Sequence, residues 1–113
     1  MGRGPASLSK LEFQVLLCLA DGPAHGYAIG KELKERSEGR IDPTTGALYH
    51  ILRRLEDSGL VTAAPEARES GEDSRRQYFR ITPGGMRRAG EEAEDLERLV
   101  RDARQRRLLG ANR

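Results

Sequence analysis

The chain has 113 residues, 36% hydrophobic and 34% charged, with a formal net charge of +2. That length allows one domain with at most one extended element attached; a single cysteine, Cys18, excludes an intrachain disulfide and a cysteine-rich zinc site, and two distant histidines, His25 and His50, supply no catalytic or metal centre. No apolar run approaches the ~18 residues of a membrane span and no secretory signal opens the chain, so the expectation is a cytoplasmic protein that is not an enzyme and uses no cofactor, metal or membrane.

Residues 1–8 are Gly/Pro-rich and expected to be flexible. The spacing Ser9-Lys10-Leu11-Glu12 is that of a capping box, so a first helix should run from Ser9 to about Ala20 and stop at Asp21-Gly22-Pro23. Leu11, Phe13, Val15, Leu16, Leu17, Cys18 and Leu19 occupy nearly every side of it. A helix apolar all round needs cover on more than one face, and a domain this small covers one easily. Cys18 reads as a core residue. A second helix spans His25 to about Arg36, with His25 helping the turn before it and Tyr27 packed beneath. A Gly/Pro turn, Ser37–Pro43, leads to a third helix from Thr44 to Ser58, with Ala47, Leu48, Ile51, Leu52 and Leu55 in one stripe and Gly59 as C-terminal cap.

Val61–Ala67 and Gln77–Ile81 read as two short strands joined by a polar tip from Arg68 to Ser74 and then Arg75 and Arg76. Pro65 assigns the first of them to a sheet edge. Thr82-Pro83 has the form of a helix start, hydroxyl cap then proline. The helix after it should reach about Leu109. Met86, Ala89, Ala93, Leu96, Val100 and Ala103 repeat at steps of 3 and 4, a heptad seam that Leu99 widens. Such a helix overhangs a small domain, and its seam stays exposed unless a second chain covers it. Leu11 and Val15 of the first helix join the seam residues as the expected dimer interface.

Helix, helix, helix, hairpin, long helix is the order of a winged helix-turn-helix, a mainly α (α+β) fold with a two-stranded wing and a C-terminal dimerisation helix. Residues 9–82 form the expected DNA-binding domain and 83–113 the dimerisation helix and tail. Opposite the apolar stripe of the third helix lie Thr45, Gly46, Tyr49, His50 and Arg53, with Thr44 at its start. These groups can donate to phosphates or to base edges in a duplex. Gly46 leaves room for the helix end to approach a sugar-phosphate backbone. Arg68, Arg75 and Arg76 on the wing are phosphate-contact candidates, partly offset by Glu69, Glu72 and Asp73. A winged-helix protein-interaction module without DNA binding is the other reading of the same pattern.

Three blocks carry a resemblance. Leu16 to Tyr27 resembles the opening "LLxLAxGPxHGY" of PadR-type transcriptional regulators, Thr45 to Leu60 is similar to their "xGxLYxxLxRLExxGL" segment, and Arg76 to Gly85 resembles their "RxYYxLTxxG" segment. The blocks come in the family's order and cover most of residues 11–90. The resemblance implies a winged helix-turn-helix that dimerises through its last helix and represses transcription, in the short branch with a single C-terminal helix. It also implies a possible small-molecule effector, since some relatives hold phenolic acids or flat drugs between interface tryptophans. This chain has no tryptophan, so Phe13, Leu16 and the seam are left to line an apolar pocket.

Overall fold

The computed structural model describes residues 7–72 and 75–110. The element order is α1 (Lys10–Leu19), β1 (Ala24–His25), α2 (Gly26–Arg36), α3 (Thr45–Asp57), β2 (Val61–Ala63), a 3-10 turn (Pro65–Ala67), β3 (Tyr78–Ile81) and α4 (Pro83–Gln105). Helix starts are set by local chemistry. Ser9 Oγ accepts from the Glu12 N–H at 3.0 Å and Glu12 Oε1 accepts from the Ser9 N–H at 2.9 Å, the expected capping box. Leu8, just before the cap, is buried and Phe13 packs on the same core, so ordered structure begins inside the segment expected to be flexible; residues 1–6 of that segment lie outside the described residues. Thr44 and Thr82 cap α3 and α4 through Ala47 N–H and Gly85 N–H. The α3 terminus closes as a Schellman motif, with Gly59 at φ +79°, Gly59 N–H donating to Glu56 and Leu60 N–H to Leu55.

The core lies where α1, α2, α3 and the sheet meet: Val15, Leu16, Leu19, Ile29, Leu33, Leu52, Leu55 and Val61 are almost completely enclosed, and Phe79 closes it from the sheet. Burying side chains of this size contributes about 1.5–3 kcal/mol each. Val15 was expected at a dimer interface. It is fully buried within the protomer instead, as part of the hydrophobic core. Leu16 is likewise enclosed and lines no open pocket. Cys18 is a core residue, and burial with a nearby Glu32 carboxylate pushes its thiol up to about 11.

The sheet has three strands in the order β1-β3-β2, all antiparallel. β3 pairs with β2 through Val61↔Ile81, Thr62↔Arg80 and Ala63↔Phe79, and with β1 through Ala24↔Phe79 and His25↔Tyr78. The hairpin expected from sequence is therefore joined by a two-residue strand from the loop between α1 and α2. β2 is an edge strand, but it ends at Ala63. Pro65, which cannot donate to a ladder, starts a 3-10 turn that carries the chain out into the wing. α4 is about 34 Å long and packs on α1 and β3.

Candidate nucleic-acid interface

α3 presents the surface expected of it. Its apolar stripe, Leu48, Leu52 and Leu55, is buried, with Ile51 packed beside it. Thr44, Thr45, Gly46, His50 and Arg53 are exposed. Nothing lies within 4 Å of the position a Gly46 Cβ would take, so the first turn of α3 is open to close approach. Neither His50 nor Arg53 has a side-chain partner among the described residues. Their donors are free for an outside ligand. Ala47 was expected in the apolar stripe but stands exposed beside Gly46; it lies at the margin of the stripe, where the small domain does not reach to cover it.

Tyr49 is turned inward. Its ring stands 6.1 Å from that of Phe79, and its hydroxyl would be 2.5 Å from a Cβ on buried Gly26. Glycine at 26 is what admits the phenol between α2 and α3. Tyr49 therefore braces the helix-turn-helix, half-buried, and belongs less to the exposed face than the sequence pattern suggested.

The wing and the start of α2 meet in a cluster that sequence reasoning did not assemble. His25 caps α2, its Nδ1 accepting from the Ala28 N–H at 3.1 Å. Its Nε2 lies 3.0 Å from Arg76 Nη1. Its ring stacks with Tyr27 (6.3 Å, 18°) and meets Tyr78 edge-on (5.1 Å, 82°). The Arg76 guanidinium also lies 6.0 Å from the Tyr27 ring centroid. The Tyr78 hydroxyl donates to both Glu72 oxygens at 2.7 and 2.8 Å, and the Glu69 N–H donates to Glu72 Oε1 at 2.8 Å. These bonds hold the Glu72 carboxyl below its usual range, and the same carboxylate raises the Tyr78 phenol. Partial burial, reinforced by the Arg76 charge, lowers the His25 pKa from 6.5.

Tyr27, expected beneath the helix-turn-helix, is 70% exposed. The signal was available: at 100° per residue it lies roughly 160° around α2 from buried Ile29. Arg68 and Arg75 are exposed and each interacts within the protein. Asp73, placed at the wing tip by sequence, lies outside the described residues, as does Ser74. On α4, Met86, Ala93, Leu99 and Val100 are exposed, while Ala89, Leu96 and Ala103 are half-buried, as is Leu11 on α1. Among the described residues no helix is long and apolar enough to cross a membrane, and no group of His, Cys, Asp or Glu is placed to hold a metal ion.

Comparison with known proteins agrees with this geometry. A curated protein, an uncharacterized 37.1 kDa protein of transposon TN4556 from Streptomyces fradiae, is 41% identical over 85 residues, 75% of this chain. The chain spans 22% of that protein. A transcriptional regulator from Clostridium thermocellum superposes with a TM-score of 0.70 at 25% identity, covering 88% of this chain and 97% of its own. Bacillus subtilis PadR, solved in complex with operator DNA, shares the fold at TM-score 0.61 and 20% identity, over 74% of this chain and 47% of its own. The sequence pattern of the Transcriptional regulator PadR-like family matches residues 15–91. With that match spanning more than half its length, over a winged-helix fold, the chain belongs to the PadR-like family of transcriptional regulators, whose members are not enzymes.

Proposed function

We propose that this protein is a homodimeric repressor that binds a near-palindromic DNA operator, with residues 9–82 as the DNA-binding domain and 83–113 as the dimerisation arm. The observation that carries the reading is the exposed front of α3: Thr45, Gly46, His50 and Arg53 stand free on one face of a PadR-like winged helix. Arg53 and His50 read base edges; Thr44, Thr45 and the wing arginines Arg68, Arg75 and Arg76 engage phosphates. Two-fold symmetry in the protein then calls for half-sites about 10 bp apart, or a multiple of that, so that both α3 helices meet one face of the duplex.

The dimer rests on the apolar residues α4 leaves uncovered: Met86, Leu99 and Val100 are large and exposed. Changing Leu99 and Val100 together to Glu should give monomers in sedimentation without loss of helix, because neither supports the protomer core. Relief of repression by a small apolar or aromatic ligand belongs to the same proposal. Such a ligand would enter between protomers, beside Phe13 and the exposed apolar residues of the α4 seam.

A gel shift tests the DNA reading, using the duplex upstream of the protein's own gene and a random-sequence duplex at two salt concentrations. The expected result is tighter binding to the upstream duplex and a steep loss with salt. Failure to bind either duplex would leave the protein-interaction module as the surviving reading.

A further inference from the structure

We propose that His25, Tyr27 and Arg76 form a clamp for one backbone phosphate of the bound duplex, at the junction of α2 and the wing. This deepens the DNA-binding proposal and depends on it. The argument starts from hydrogen-bond chemistry. His25 Nδ1 accepts the Ala28 N–H, so it carries no proton; the neutral ring must then carry its proton on Nε2. That N–H faces Arg76 Nη1, also a donor, at 3.0 Å. Two donors at this distance cannot satisfy each other. Both need an acceptor, and the shared one that fits is an anionic oxygen placed outside them.

Glu72 Oε2 is 3.5 Å from Arg76 Nη1, longer than an ordinary N–H···O bond, so it neutralises the guanidinium without filling the place. Tyr27 supplies the floor and a third donor. Its ring, largely exposed, lies beneath Arg76 and alongside His25, and its hydroxyl has no hydrogen-bond partner among the described residues. Tyr27 and Thr45 also line one cleft of about 290 Å³ with Gly26, Asp42 and Pro43. Through Tyr27 the clamp thus adjoins the start of α3, the helix proposed to read the duplex. The depressed His25 pKa agrees with a ring that stays neutral and keeps its cap.

The test compares the parent protein with Tyr27→Phe and Arg76→Ala on the upstream and random-sequence duplexes across a range of salt. Tyr27→Phe keeps the ring and should melt like the parent. It should weaken binding to both duplexes alike, by roughly tenfold for one hydrogen bond to a charged oxygen, with the salt slope unchanged. Arg76→Ala should lower the slope by roughly 0.9, the value for one phosphate contact. A neutral methylphosphonate at the clamped position should erase the difference between parent and Tyr27→Phe. If the parent binds and Tyr27→Phe binds equally well at every salt concentration, the clamp is overturned alone. If the parent binds neither duplex, the DNA-binding proposal falls and the clamp with it.

Discussion

Gly85 is the point at which α4 is fastened to the rest of the fold, and its replacement gives a prediction whose size can be worked out. A Cβ there would penetrate the Leu60 carbonyl oxygen and lie 2.7 Å from Ile81 Cγ1 and 3.0 Å from the Leu60 carbonyl carbon. The carbonyl cannot simply retreat, because it accepts the Thr82 N–H at 3.0 Å. Thr82 in turn caps α4 through Gly85 N–H at 2.9 Å and donates its hydroxyl to the Gly59 carbonyl at 2.7 Å. Gly85→Ala therefore costs about 1–3 kcal/mol of overpacking and about 1 kcal/mol of weakened cap, offset by about 1 kcal/mol of better helix propensity. The net is a loss of about 1–3 kcal/mol. At ~4–8 °C per kcal/mol for a domain of this size, the melting midpoint should fall by about 5–20 °C. Gly90 sits further along α4 with nothing within 4 Å of its Cβ position. Gly90→Ala should instead stabilise by about 0.5–1 kcal/mol and raise the midpoint by a few degrees. Thermal melts followed at 222 nm, at one fixed protein concentration, compare the two variants with the parent. A Gly85→Ala protein that melts at or above the parent would refute the close approach of α4 to Leu60.

Three further outcomes are expected. Arg53→Ala and His50→Ala should each weaken operator binding by about 1–3 kcal/mol and relax sequence preference, with circular dichroism unchanged; unchanged affinity would move base reading off this face. Cys18, with its thiol pushed up to about 11 by burial, should resist alkylation at pH 8 until denaturant is added, and equal rates in native and unfolded protein would contradict its burial. His25 has a folded pKa below 6.5, so the unfolded chain takes up the proton first. Its contribution to stability should be complete above pH 6.5 and be lost as pH falls through the folded value. Urea midpoints measured downward from pH 7 should show that loss in the parent and a smaller one in His25→Asn, which caps without titrating; parallel curves would exclude His25 as the group responsible.

The features legible in the sequence are those decided within a few residues. Ser9 and Glu12 build their capping box, Thr44 and Thr82 cap their helices, and Gly59 ends α3 because these bonds join residues three to five apart. The face of α3 was legible for the same reason: helical spacing alone separates Leu48, Leu52 and Leu55 from Thr45, His50 and Arg53. Local patterning could not say which half of an all-apolar helix would be enclosed. Packing of α1 within the protomer buried Val15 and left Leu17 partly exposed. It could not say that a missing Cβ at Gly26 would admit Tyr49, or that β3 would recruit Ala24 and His25 as a third strand. The site proposed for phosphate depends wholly on that recruitment. His25 and Arg76 are 51 residues apart in the chain, and only the β1-β3 pairing brings their nitrogens together, because strand register acts across the chain while helix periodicity acts along it.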